Sequence, residues 1–120
     1  MTDYAAVQSA LVDALGSDAV IVDPDRMDRY RRDESTWIAA GVPVAVVRPA
    51  DTAGVQAAVR VAAAHGVPII TRGAGTSLAA GSTAQDGAIT LSTDRMRALT
   101  IDPASRTAVV GPGLLNAEVK

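Results

Sequence analysis

Residues Ile70 to Gly81, with the sequence ITRGAGTSLAAG, carry more information about the fold than any other part of the chain. They follow a short apolar run and bring three glycines together with a cation and hydroxyl side chains. Glycine allows positive φ and lets a ligand approach the main chain closely, and successive N–H groups in such a turn form an anion-binding concavity. The pattern predicts a loop that suits a diphosphate, with a ligand-free surface turn as the alternative.

The segments that precede this loop predict a βαβ unit. Residues Val44–Val47 form a continuous apolar run, which is typical of a strand buried on both faces. Thr52 is placed to cap a helix that ends at His65-Gly66, and residues 67–70 form the next strand. The two strands are therefore expected to be parallel, with the loop at the C-terminal edge where open α/β sheets bind ligands.

The ends of the chain predict a helical start and an antiparallel finish. Apolar residues at helical spacing from Thr2 to Leu15 indicate a helix, and residues 1–32 are interpreted as an N-terminal helical extension. Residues 33–41 look irregular, with Trp37 tucked inward. After Gly87, short apolar runs predict antiparallel β-structure.

The last segments predict an incomplete domain. A helix that Asn116 would cap and that stops at Lys120 is marginal in water, and a lone hairpin is not a stable sheet. We therefore expect the chain to be the N-terminal piece of a longer protein. The alternative is a natural C-terminus that is frayed. The predicted fold class is α+β: a βαβ subdomain and the incomplete start of an antiparallel second subdomain, together spanning residues 33–120.

Composition limits the partners that the chain can have. Its 120 residues carry a net charge of −2 and contain no cysteine. The charge gives no reason to expect nucleic acid or an anionic membrane as partner. The absence of thiols excludes disulfides and fits a reducing compartment. The sequence shows no signal peptide and no membrane-spanning run, so it predicts a soluble, cytoplasmic protein.

Other candidate residues have structural interpretations. His65 is expected to stabilise a helix end rather than to act in catalysis. The acidic residues between positions 23 and 34 lack the spacing of a calcium loop and predict a solvated face, so no metal site is assigned. Arg48 is interpreted as a surface arginine. Ser77 has no paired base, and Ser-His-Asp chemistry is not supported.

Five segments agree in order and spacing with a known family. They are VVRPADT at 46–52, AHGVP at 64–68, the loop at 71–81, DGAITLS at 86–92, and IDP at 101–103 followed by VVGPG at 109–113. Together they resemble the N-terminal part of FAD-linked oxidoreductases with the vanillyl-alcohol-oxidase-type (PCMH-type) FAD-binding domain. The glycolate oxidase FAD subunit and the FAD-linked D-lactate dehydrogenases are the members that the chain resembles most.

The resemblance implies that FAD is the cofactor and that the loop wraps its pyrophosphate. Thr76 stands where some relatives attach the flavin through a histidine, so binding is expected to be non-covalent. Two departures from the family pattern are Ala80, where glycine is common, and Arg97, where asparagine is common. The implied cofactor-binding residues are Arg72, Gly73, Ala74, Gly75, Thr76, Ser77, Leu78, Ala80, Gly81, Ser82, Pro112 and Gly113.

The resemblance also implies a reaction. The chain would be the FAD-binding part of an oxidoreductase that oxidises a small 2-hydroxy acid, of the glycolate or D-lactate type, by hydride transfer to FAD. Substrate binding would belong to sequence beyond Lys120, so no catalytic residue is assigned and the chain alone is expected to be inactive. The electron acceptor stays open between oxygen, a quinone and a protein. The βαβ unit and loop alone would also permit a non-catalytic nucleotide- or phosphate-binding module.

Overall fold

The computed structural model describes residues 2–120 and is built around a four-stranded sheet. Two short 3-10 turns at 17–19 and 28–30 flank its first strand. The helices and strands are α1 (Tyr4–Leu15), β1 (Val20–Ile21), α2 (Pro24–Met27), β2 (Ala45–Val47), α3 (Thr52–His65), β3 (Ile69–Arg72), β4 (Ile89–Ser92), β5 (Leu99–Asp102), β6 (Thr107–Val110) and α4 (Asn116–Val119).

The sheet has the strand order β1-β2-β4-β3, with β2, β4 and β3 parallel and β1 antiparallel at the edge. Val46 and Ile70 both lie opposite Thr90, so β4 separates the two strands of the predicted βαβ unit. The prediction of parallel strands is confirmed. The prediction that antiparallel structure begins after Gly87 is wrong for β4, because this strand pairs in parallel with both β2 and β3. It lies inside the sheet and all four of its residues are buried.

Helices α1 and α3 cover one face of the sheet. Their buried side chains pack with β2 and β4 into the main core, and Val7, Leu11, Ala58, Val47 and Ile89 are among its members. Burying such an apolar side chain contributes roughly 1.5–3 kcal/mol, which makes this face the main source of stability. The small residues of α3 allow the helix to lie close to the strands.

The opposite face of the sheet is covered by residues between β1 and β2. Ile21, Met27, Tyr30 and Val46 form a second buried cluster there. Strand β1 and three members of this cluster, Ile21, Met27 and Tyr30, come from residues 1–32, which the sequence predicts to be a separate helical extension. The boundary at residue 32 stays a prediction, and the sheet itself continues across it.

Three local predictions are wrong in detail. The cap of α3 is Asp51 rather than Thr52, because the carboxylate Oδ1 accepts a hydrogen bond from Gly54 N at 2.9 Å. Trp37 is exposed rather than tucked inward, with 67% of its surface accessible. Asn116 does not cap α4 but is its first residue. The cap position belongs to Leu115, whose N–H donates to Glu118 Oε2.

The hairpin formed by β5 and β6 agrees with the predicted antiparallel second subdomain. Leu99 pairs with Val110 and Asp102 with Thr107, and both strands are exposed along their whole length. Ile101 and Val109 present apolar surface to solvent. Among residues 2–120, the helices are too short or too polar to cross a bilayer.

Candidate functional site

The glycine-rich loop leaves the sheet at the C-terminal ends of its parallel strands. Strand β3 ends at Arg72 and the neighbouring β4 ends at Ser92, so both following segments emerge at the same edge. Thr93 N donates to Arg72 O at 3.1 Å, which holds the two exits together. This is the edge at which the sequence analysis placed a ligand site.

The side chain of Arg72 lies beneath the loop. It is almost fully buried, and its Nη1 donates to Arg32 O at 2.9 Å. The ion pairs found within residues 2–120 do not include it. Burial lowers the pKa of the guanidinium, and the negative charge of Asp33 opposes that shift. An arginine stays protonated at neutral pH, so the loop rests on a buried positive charge.

Gly75 packs directly on this guanidinium. Its φ is +76°, and a Cβ added there would overlap Arg72 Nη2. Any side chain at this position would therefore both strain the backbone and displace the arginine. The loop needs glycine at this position for two independent reasons.

The main chain of the loop is free to bind a ligand. Within residues 2–120, the N–H groups of residues 73–80 donate no hydrogen bond to another residue. Successive N–H groups that have no acceptor in the described chain, together with a buried cation, suit a diphosphate. The predicted donors Gly73, Ala74 and Thr76 lie in this stretch.

The structure brings the second predicted segment, Pro112-Gly113, against the start of the loop. The two segments line a cleft of about 220 Å³. Gly113 N donates to Met96 O at 2.9 Å, and a Cβ at Gly113 would overlap Thr93 O. The residues that line the cleft are Gly73, Ala74, Asp94, Arg97, Pro112, Gly113, Leu114 and Leu115.

The later predicted residues lie outside this cleft. Ser77 O accepts from Glu34 N at 3.1 Å, and Ser77 Oγ accepts from Gly81 N at 3.3 Å. Leu78 is exposed at the tip of the loop, and Ala80 has a φ of +62°. The cofactor contacts of residues 77–82 therefore stay a prediction.

Ser82 is buried, and its hydroxyl faces the protein rather than the ligand side. Ser82 Oγ donates to Asp33 Oδ2 at 3.3 Å. Hydrogen bonds from Ser35 hold the pKa of Asp33 far below its usual range, and donors at Ser82 and Thr83 add to that effect. The predicted solvated acidic face is therefore wrong for Asp33, which is half-buried and binds the end of the loop.

A second polar cluster at the same edge was missed by sequence reasoning. Asp94 accepts from Tyr30 Oη at 3.0 Å and from Arg48 Nε at 3.0 Å. Burial alone would raise the pKa of Asp94, but the hydrogen bonds from Arg48 and Tyr30 outweigh it and the pKa is lowered. Arg48 is half-buried and ion-paired, so its interpretation as a surface arginine is wrong. The signal lay in position, since Arg48 and Asp94 each follow the end of a parallel strand.

The fold and the cleft together define a PCMH-type flavoprotein domain. Residues 43–120 match the model of the FAD binding domain family. This match covers more than half of the chain, so the protein belongs to the FAD binding domain family and its cofactor is FAD. The free N–H groups, the glycine at position 75 and the buried charge of Arg72 fit the diphosphate of that cofactor.

Three of the curated relatives carry the name of a dehydrogenase or of an oxidase subunit. The chain is 34% identical to D-2-hydroxyglutarate dehydrogenase of Stutzerimonas stutzeri, over 100% of this chain and 26% of the relative. It is 33% identical to D-lactate dehydrogenase of Archaeoglobus fulgidus, over 72% of this chain and 20% of the relative. It is also 33% identical to glycolate oxidase subunit GlcD of Bacillus subtilis, over 65% of this chain and 17% of the relative. The chain thus spans about a quarter or less of these relatives.

A solved structure confirms the predicted fold. The crystal structure of p-cresol methylhydroxylase with substrate bound aligns with a TM-score of 0.79 at 30% identity. The alignment covers 92% of this chain and 22% of that chain. The resemblance to the PCMH-type FAD-binding domain is therefore confirmed.

Proposed function

We propose that the protein is the FAD-binding part of an oxidoreductase that oxidises the CH–OH group of a small 2-hydroxy acid. The observation that supports it most is the loop of residues 73–80, whose free N–H groups lie above the buried charge of Arg72 in a chain of the FAD binding domain family. Family membership leaves the alternative, a non-catalytic phosphate-binding module, without support of its own.

The residues of this chain would hold the cofactor rather than perform the reaction. In the proposal, the N–H groups of Gly73 to Thr76 donate to the diphosphate, and Arg72 supplies positive charge from below. When bound, FAD supplies the hydride-accepting chemistry. Because Thr76 has no nucleophilic ring nitrogen, binding is proposed to be non-covalent.

The substrate class comes from what the relatives share. D-2-hydroxyglutarate, D-lactate and glycolate all carry a hydroxyl next to a carboxylate, and each is named in one of the relatives. We extend that class to this protein as part of the proposal. The residues that would bind the carboxylate and take the hydroxyl proton are assigned to sequence outside this chain.

The experiment is a two-part assay on the full-length protein encoded by the gene. The purified protein is first tested for non-covalent FAD by acid precipitation, which releases such a flavin into the supernatant. It is then assayed with glycolate and with the D- and L-isomers of lactate and of 2-hydroxyglutarate, using oxygen, a quinone analogue or an artificial dye as acceptor. Flavin reduction by a 2-hydroxy acid is the expected result. A protein that binds FAD but is reduced by none of these acids would overturn the substrate class.

A further inference from the structure

Residues 31–35 form a brace that contacts the glycine-rich loop along its length, although they precede the residues matched by the family model. We use the name "brace" for this five-residue segment. Its contacts with the loop and its end are Arg72 Nη1 to Arg32 O at 2.9 Å, Glu34 N to Ser77 O at 3.1 Å, Ser82 Oγ to Asp33 Oδ2 at 3.3 Å, and Ala84 N to Arg31 O at 2.8 Å.

The loop needs such anchors because it has little structure of its own. The N–H groups of residues 73–80 donate no hydrogen bond within the described chain, so neither a helix nor a strand ladder fixes their direction. A ligand site requires its donors to be held in place before the ligand arrives. The brace supplies fixed points at the start, middle and end of the loop.

Asp33 is the centre of the brace. Its Oδ1 accepts from Ser35 N at 2.9 Å, and its Oδ2 accepts from the buried hydroxyl of Ser82. Its charge is also the one that acts most strongly on the buried guanidinium of Arg72. Asp33 thus links the end of the loop, through Ser82, with the cation at its start.

We propose that Asp33 is a positioning residue for FAD: it holds the end of the loop through Ser82 and makes no contact with the cofactor. This inference rests on the proposed function of the loop. Loss of the carboxylate charge would weaken the hydrogen bond made by the buried Ser82 hydroxyl, and loss of that hydroxyl would remove the bond. The loop would then spend more time in conformations whose N–H groups point away from the diphosphate.

The test compares variants of the full-length protein after removal of flavin. Ser82→Ala removes the hydroxyl that donates to Asp33, and Asp33→Asn removes the negative charge of the acceptor. Asp102→Asn is the matched control, because Asp102 accepts similar local bonds from Ala104 N and Ser105 Oγ in the β5–β6 turn. The readouts are the Kd for FAD, from quenching of its fluorescence, and amide hydrogen exchange at Glu34, Gly81 and Ala84 without FAD.

We expect Asp33→Asn and Ser82→Ala to raise the Kd for FAD by about tenfold or more. Exchange at the three amides should rise by a similar factor, because each donates a hydrogen bond in the braced loop. Asp102→Asn should stay within about twofold of the wild type in both readouts.

Three results would overturn the inference. If the wild type binds FAD and both Asp33→Asn and Ser82→Ala bind it equally well, the brace has no positioning role while the proposed function stands. If Asp102→Asn weakens FAD binding as much as Asp33→Asn does, the effect is not specific to the contact between Asp33 and Ser82. If the wild type itself does not bind FAD, both the proposed function and the inference fall.

Discussion

Arg48 Nε lies 3.0 Å from one oxygen of Asp94 and 3.2 Å from the other, so the segment that leaves β2 is tied to the segment that leaves β4. Tyr30 donates to the same carboxylate from the cluster that covers the sheet. Asp94 also lines the cleft beside Gly73 and Pro112. The pair therefore fixes the edge of the sheet on which the cofactor site is built.

Asp94→Asn is expected to destabilise the protein. The variant removes the charge that pairs with half-buried Arg48 and weakens the hydrogen bond from Tyr30. Because the pair is only partly desolvated, we expect a loss of about 1–2 kcal/mol in the free energy of unfolding, less than for a fully buried pair. Urea unfolding followed by circular dichroism measures it. Asp28→Asn is the control, because this carboxylate is 57% exposed although it pairs with both Arg31 and Arg32, and an equal loss there would contradict the account.

The contribution of Asp94 is expected to depend on pH. Its folded-state pKa is lowered, so the stabilisation is fully present above the unfolded pKa of about 4 and is lost as pH falls through the folded pKa. The difference in unfolding free energy between the wild type and Asp94→Asn should therefore shrink when urea unfolding is repeated at decreasing pH below about 4. A difference that stays constant over this range would show that the carboxylate charge is not responsible.

Ala80→Gly is expected to stabilise the protein. Ala80 has a φ of +62°, a conformation that is strained for a residue with a Cβ. The free energy gained by removing this strain should be larger than the entropic cost of a glycine in the unfolded chain. The free energy of unfolding should therefore rise by about 0.5–1 kcal/mol. Ala79→Gly is the neighbouring control, since Ala79 is not among the residues of positive φ and should gain nothing. Equal effects of the two variants would refute the explanation.

The local elements were predictable from the sequence because their signals are local. The apolar run before the loop, the helix from Thr52 to His65 and the turn at Gly66 each occupy a few consecutive residues. The loop itself was recognisable from its glycines. Its cofactor followed from the order of several motifs rather than from any one of them.

The arrangement of strands and the polar contacts could not be predicted in the same way. The direction of β4 depends on its partners β2 and β3, and the sequence of β4 alone fits either direction. Asp94 lies 46 residues from Arg48 and 64 residues from Tyr30, and no spacing rule joins them. Asp33 and Ser82 are 49 residues apart in the sequence, so their contact could not be predicted from spacing either.

The central claim is that the glycine-rich loop binds the diphosphate of FAD, and Gly75→Ala tests it most directly. A Cβ at this position would overlap Arg72 Nη2 and strain a φ of +76°. Gly66→Ala is the control, because its φ is +65° with no atom within 4 Å of the added Cβ and it ends α3 away from the loop. The measurement is the Kd for FAD of the deflavinated full-length protein. We predict that Gly75→Ala weakens binding by at least about tenfold while Gly66→Ala leaves it within about twofold. Unchanged binding in Gly75→Ala would contradict the claim.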